Sequence, residues 1–260
     1  MASSVLLQVA SVSVTLGQKT VVSDASFGLA AGQLIALVGP NGAGKTSLLR
    51  AIAGLVASTG KVLLAGKDVF ASTAIERARR IAYLPQGHQV HWPLTAHDVV
   101  ALGRYPHGAS DPTRLSPTDS AIVAEAMQRT DVAHFAHRNV QTLSGGERAR
   151  VMMARVFAVG AEVLLSDEPT AALDPRHQLD IMTALRAEAA RGALVIAVTH
   201  DLGLAARMAD QIVVIHEGHI AAMGAPAVVL TASLLRDIYG ISALHLMQDG
   251  EPVLVPWAPV

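Results

Sequence analysis

The 260-residue chain contains no cysteine, which excludes disulfides, thiol catalysis and thiolate metal sites. Aromatic residues make up 3% of it against 51% hydrophobic residues overall, so its core must be built from Val, Leu, Ile, Ala and Met. Neither sign of charge dominates, with 20 Lys and Arg against 21 Asp and Glu and a net charge of −1. Nucleic acid is therefore not expected as a partner, because the basic footprint of such proteins is missing. No apolar run approaches the roughly 20 residues of a transmembrane helix. The longest, such as residues 193–198, have the length of a strand. Residues 1–10 lack a basic region followed by an apolar run, so no signal peptide is visible. The expectation is a soluble cytoplasmic protein that reaches a membrane only through a partner.

What is present is an alternation of strand and helix patterns. Leu7, Val9, Val12 and Val14 suggest short strands near the N-terminus. Residues 34–38 are continuously apolar, as in a strand buried on both faces. Residues 45–55 carry apolar residues at helical spacing, and 61–65 and 81–84 read as further strands. Between Gln86 and Ala158 the pattern changes. Prolines 93, 106, 112 and 117 punctuate helical stretches at 97–102, 118–129 and 147–157, with no convincing strand. Strands at 163–166, 195–199 and 211–216 then alternate with helices at 176–191 and 202–209. Such alternation indicates an α/β fold with a mostly parallel sheet, whose ligands bind at the C-terminal strand ends. The helical stretch reads as an inserted subdomain, residues 87–158. Residues 1–86 and 159–260 then form the catalytic core of one domain.

Gly39-Pro40-Asn41-Gly42-Ala43-Gly44-Lys45-Thr46 matches G-x-x-x-x-G-K-[ST] in full, between a predicted strand and a predicted helix. Gly42 and Gly44 let the backbone curl so that N–H groups converge on phosphate oxygens, and the helix N-terminus adds a favourable dipole. Lys45 offers a charge to the β- and γ-phosphates and Thr46 a hydroxyl to Mg²⁺. The motif alone indicates a nucleoside triphosphate. Residues 163–168, Val-Leu-Leu-Ser-Asp-Glu, form an apolar strand ending in two carboxylates. Asp167 suits the ordering of Mg²⁺, and Glu168 the polarising of an attacking water. Ser166 stands where a fourth apolar residue is more usual; it is small and able to bond locally, a minor departure. Leu143-Ser144-Gly145-Gly146-Glu147 is a second anion-binding corner. Alone it could simply cap the following helix. In a chain that already has a phosphate loop it suggests a second half-site.

In their order and spacing, the phosphate loop, Gln86, the Ser144-Gly145-Gly146 corner, Asp167-Glu168, residues 171–174 and His200 resemble the ATP-binding-cassette (ABC) ATPases. The resemblance covers roughly residues 5–240. It implies the P-loop NTPase cassette fold, with an N-terminal antiparallel β portion beside the parallel core. It also implies ATP and Mg²⁺ as ligands. By resemblance Gln86 is the glutamine that joins the core to the helical subdomain and reaches Mg²⁺ or the water. Asp174 is the aspartate that contacts the opposing subunit, and His200 the histidine that contacts the γ-phosphate. The family packs two copies head to tail, with ATP between the phosphate loop of one and the Ser-Gly-Gly of the other. The usual adenine-stacking aromatic aligns with Leu16, so Leu16 and Val21 would form an aliphatic base pocket with weaker discrimination between ATP and GTP.

The segment after Gln86 resembles the branch that imports iron–siderophore complexes, haem and cobalamin, in Thr95, Asp98, Val99 and Val100, and in Gly103, Arg104, Pro106 and His107. The stretch 239–256 reads as a similar short tail. The branch implies transmembrane permease subunits, a periplasmic binding protein reached indirectly, and a peripheral place on the cytoplasmic face of the inner membrane. His88, His91 and His97 lie in a loop meant to contact protein and are not read as metal ligands; His134 and His137 read as solvated. Arg77, Arg79 and Arg80 read as a solvated basic face.

Overall fold

The computed structural model describes residues 5–87, 90 and 92–260, so His88 and His91 lie outside the described residues. β1 (Val5–Leu16) and β2 (Lys19–Ala30) form a hairpin, extended by β4 (Thr59–Leu64) and β5 (Lys67–Asp68) into an antiparallel sheet ordered β2-β1-β4-β5. Leu7, Val9, Val12 and Val14 all face inward. Their spacing breaks period two between Val9 and Val12, where the register shifts and Ser11 takes a φ of +49°. One extra residue in a strand does this, leaving both flanking runs facing the core. β4 crosses closely there: a Cβ on Gly60 would lie 2.2 Å from the Ser11 carbonyl oxygen.

The second sheet joins β3 (Leu34–Val38), β6 (Ile81–Leu84), β7 (Val163–Asp167), β8 (Leu194–Val198), β9 (Gln211–His216) and β10 (His219–Gly224). Its order is β10-β9-β3-β8-β7-β6, parallel throughout except for the β9–β10 hairpin. Every residue of β3, β7 and β8 is buried, as their continuous apolar runs require. The pleat divides them between two cores. Ile35, Leu37, Leu165, Ile196 and Val198 pack with α1 (Lys45–Ile52) and the antiparallel sheet. Leu34, Leu164, Val195 and Ala197 pack with α3 (Ala96–Ala101), α4 (Pro117–Arg129), α5 (Gly145–Phe157) and α6 (Pro175–Ala190). A smaller core gathers Ala36, Val38, Ile212 and Val214 against α7 (Leu202–Met208).

Three expectations change. Arg77, Arg79 and Arg80 belong to a helix, α2 (Ala74–Arg80), capped by Thr73 and Glu76. Their guanidiniums are tied down: Arg77 donates to the carbonyls of Val69 and Ser72, Arg79 to Pro106, and Arg80 to Glu162. The C-terminal stretch is more than a tail. After α8 (Pro226–Val229) and α9 (Ala232–Tyr239), β11 (Ile241–Gln248) and β12 (Glu251–Pro259) form a hairpin whose Leu254 enters the third core. Ser166 does not bond locally; its hydroxyl is fully buried without a partner among the described residues. Between Gln86 and Ala158 the described residues hold no strand beyond an isolated bridge, Thr95 with Asn139.

Candidate functional site

The parallel register builds the site. Leu84, Ser166 and Ala197 lie side by side on β6, β7 and β8. Gln86 and Glu168 each follow two residues past that row, and His200 three past it, so all three emerge at the same sheet edge. There the Gln86 side-chain amide donates to Glu168 Oε2 at 2.8 Å, and His200 Nε2 donates to Glu168 Oε1 at 2.7 Å. An ionised carboxylate only accepts, which assigns the ring proton to Nε2. Glu168 itself has a φ of +50°, a left-handed conformation uncommon for a non-glycine residue. Such strain persists where the surrounding contacts over-determine it.

β3 runs out into the phosphate loop. Gly39 has a φ of +154° and a Cβ there would lie 2.1 Å from the Ile215 carbonyl oxygen. Gly44, at +107°, would meet the Val21 carbonyl at 2.4 Å. Only glycine fits at either position. Lys45 opens α1 and is buried; its ammonium donates to the carbonyls of Gly39 at 2.8 Å and Pro40 at 2.9 Å. Burial lowers its pKa, opposed by the charges of Glu168 and Asp167. Thr46 donates its hydroxyl to Asp167 Oδ1 at 3.0 Å, and Tyr83 donates to Asp167 Oδ2 at 3.2 Å. Arg50 Nε in turn donates to the Tyr83 oxygen at 3.4 Å. Burial raises the Asp167 pKa, with the two hydroxyl bonds acting against it and the Glu168 charge adding to it. A cavity of about 340 Å³ lies over the loop, lined by Asn41, Gly42, Gly44, Lys45, Thr46, Ser47 and Glu168, with Lys19 and Val21 at one side.

Leu16 does not line that cavity. It ends β1 opposite Lys19 and is 50% exposed. Nor do Ser144, Gly145, Gly146 or Asp174. Ser144 caps α5 reciprocally with Glu147: the Glu147 amide donates to the Ser144 hydroxyl at 3.3 Å, and the Ser144 amide to Glu147 Oε2 at 2.8 Å. That bond holds the Glu147 pKa below its ordinary value. Asp174 caps α6, accepting from the His177 amide at 3.0 Å. The His177 ring packs directly on Gly146, where a Cβ would lie 2.1 Å from the ring. Arg150 donates to His177 Nδ1 at 3.0 Å. Gly146 and Asp174 are thus joined through His177.

The sequence motifs did not point to Tyr83, Lys19 or His177. Tyr83 acts through Asp167 on the neighbouring strand and His177 through Gly146 on α5, while Lys19 lines the cavity; none stands at a distinctive spacing. His97 pairs with Asp98 at 3.5 Å, and the His134 ring lies tilted at 47° against that of Phe135.

The family described as ABC transporter matches residues 22–171, more than half of the sequence. The chain belongs to the ABC transporter family. As an ABC cassette it is an ATP-binding subunit and an ATPase. It is 42% identical over 256 residues to the hemin import ATP-binding protein HmuV of Thermobifida fusca, covering 97% of this chain and 89% of that protein. The cobalamin import ATP-binding protein BtuD of Halobacterium salinarum is 45% identical over 236 residues, 90% of this chain and 58% of that protein. Among solved structures, a metal-chelate type ABC transporter in an inward-facing conformation matches with a TM-score of 0.84 at 22% identity, over 98% of both chains. At that identity the likeness speaks for the cassette fold. No helix of the described residues is long and apolar enough to cross a membrane.

Proposed function

We propose that this chain energises an importer of metal chelates, with hemin or a related iron chelate as cargo. The observation that carries the hydrolytic part is Glu168, held between Gln86 and His200 at 2.8 and 2.7 Å beside the phosphate loop. In this reading Gly39, Pro40, Asn41, Gly42, Ala43, Gly44 and Lys45 cradle the ATP phosphates. Glu168 orients and deprotonates the attacking water, and His200 turns to the γ-phosphate. Leu16 and Val21 take the base.

The donor set fits Mg²⁺. Thr46 Oγ1 and Asp167 Oδ1, 3.0 Å apart, are hard oxygen ligands, and Gln86, whose amide nitrogen bonds the adjacent Glu168, has its amide oxygen to offer. No group of three or more His, Cys, Asp or Glu residues gathers among the described residues, so an all-protein cage is not offered. Mg²⁺ is ordinarily held by one or two protein oxygens together with substrate phosphates and water. When bound, it supplies charge neutralisation between the β- and γ-phosphates. Thr46 and Asp167 hold their oxygens at the loop mouth for that purpose, and Tyr83 keeps Asp167 oriented.

A second copy supplies Ser144, Gly145, Gly146 and Asp174 from the other side of the nucleotide. Residues 87–158 act as the helical subdomain of the single domain. The assembly works on transmembrane permease subunits at the cytoplasmic face of the inner membrane, with a periplasmic binding protein delivering cargo. The relatives from Thermobifida fusca and Halobacterium salinarum support import. The first favours hemin, and the second keeps cobalamin as the alternative cargo. The deciding experiment is reconstitution with the permease and binding protein. Hemin-loaded binding protein is expected to stimulate ATP hydrolysis, and stimulation by the cobalamin-loaded protein alone would move the assignment to the alternative.

A further inference from the structure

Three arginines line one cavity, and two of them keep a buried donor without an acceptor. The cavity measures about 330 Å³ and lies where the end of α4, the middle of α5 and one face of α6 meet. That is the size of a small-molecule pocket. It shares no lining residue with the nucleotide cavity. Arg129 is the last residue of α4, Arg150 lies on α5, and Arg176 lies in the first turn of α6. The Nε atoms of Arg129 and Arg150 are buried and have no partner among the described residues. The rest of each guanidinium is engaged only in part. Arg129 donates to Glu188 at 3.0 Å and to the Phe157 carbonyl at 3.4 Å. Arg150 donates to His177 at 3.0 Å and stands 3.9 Å from Asp180. Arg176 is exposed and makes no hydrogen bond or ion pair with any described residue. A buried donor on a charged group is costly until an acceptor meets it.

The acids at hand do not meet that need. Glu188 is taken by Arg129, and Asp180 stands between Arg150 and His177. Asp131, also on the cavity wall, has an 87% exposed side chain and lies 3.9 Å from His134. The remaining wall is apolar, with Leu179, Ile181, Ala184 and Ala187 along α6. The cavity therefore offers guanidinium N–H groups from three helices beside a short hydrocarbon surface.

We infer that this cavity binds a small phosphate monoester, with Arg129, Arg150 and Arg176 around the phosphate and the α6 wall against its carbon skeleton. Three guanidiniums on three helices suit a group with three terminal oxygens better than a carboxylate with two, and the planar fork matches phosphate geometry. Asp131 and Asp180 repel further negative charge, which selects one phosphate over a chain of them. The inference rests on neither the cargo nor the membrane partner. Arg150 also holds His177, which packs on Gly146 and is capped by Asp174. The bound ester thus lies one side chain away from the face proposed to meet the second copy.

The test is equilibrium dialysis of the full chain with radiolabelled glycerol 3-phosphate and, separately, with radiolabelled inorganic phosphate. Mg²⁺ and the non-hydrolysable β,γ-imido analogue of ATP are kept saturating, so that the phosphate loop is filled. Wild type is expected to bind one glycerol 3-phosphate per chain at millimolar concentration, several-fold more tightly than inorganic phosphate. Arg176→Gln is expected to weaken that binding about tenfold or more, as for loss of a hydrogen bond to a charged group. Its melting temperature without ligand should stay at the wild-type value, because Arg176 is exposed and has no partner to lose. Arg150→Lys keeps the charge but loses the fork, and should weaken binding as well; if that variant melts lower, Arg176→Gln decides. Absence of binding to wild type overturns the inference, and so does wild-type affinity in Arg176→Gln. Inorganic phosphate binding as tightly as glycerol 3-phosphate overturns the assignment to an ester.

Discussion

At the phosphate loop nearly every functional side chain is held by a residue distant in sequence, whereas at the Ser144 corner the bonds are local. Thr46 meets Asp167 across 121 residues, and Gln86 meets Glu168 across 82. Ser144 and Glu147 are three apart. The first region is built by tertiary structure, so its groups stand in place before a substrate arrives, as electrostatic preorganisation requires. The second is a helix cap whose outward face, Ser144 and Gly145, is exposed. A cap needs only its own helix to form. It becomes part of a site only when something docks on that exposed face. On the proposed two-copy reading, the contrast is between a cradle that one chain completes and a corner that serves a site only on the second copy.

The strongest way to break the comparison is at Glu168. Glu168→Gln keeps the shape and removes the base. Hydrolysis is expected to fall by about 10² to 10⁴, with an ATP-bound dimer accumulating on size-exclusion chromatography; wild-type turnover would remove Glu168 from that role. Ser144→Arg tests the other side. Steady-state hydrolysis should fall about a hundredfold or more, as for loss of an oxyanion-type donor, while fluorescent nucleotide still binds the single chain. Retained cooperative hydrolysis would argue against a site shared between copies.

Gly146 sharpens the comparison, because it is joined through His177 to Asp174, the residue proposed to face the second copy. Gly146→Ala drives a methyl into the His177 ring, 2.1 Å from its Cδ2. Overpacking of this kind costs about 1–3 kcal/mol, readable by chemical denaturation. Adding His177→Ala should recover much of that loss; a double variant no more stable than Gly146→Ala alone would remove His177 as the obstruction. The smallest expected effect is at the base. Leu16→Tyr should add about 1 kcal/mol of stacking and raise the preference for ATP over GTP roughly fivefold in competition binding. An unchanged ratio would place the base away from Leu16.

Much of the fold was legible along the chain because its signals are short-range. The buried runs of β3, β7 and β8 show as continuous apolar segments, and the helices of residues 87–158 show as periodic ones. α2 was obscured because its seven residues carry three arginines and present no buried face. The β11–β12 hairpin was obscured because most of its residues are exposed, so no alternation marks it. Ser166 illustrates the opposite error: a polar residue in a buried strand invites an expected local bond, yet its hydroxyl stands unpaired.

The sequence by itself determined the phosphate loop, the strand-end acids, the Ser-Gly-Gly corner and their order, and with these the family. Those features are set by backbone torsions, caps and periodicities spanning a few residues. Only the tertiary structure decided that Gln86 and His200 converge on Glu168, that Tyr83 supports Asp167, and that His177 joins Gly146 to Asp174. These depend on the parallel register of β6, β7 and β8, and on how α5 packs against that sheet. Register is a relation between segments 31 to 82 residues apart, and no local pattern encodes it.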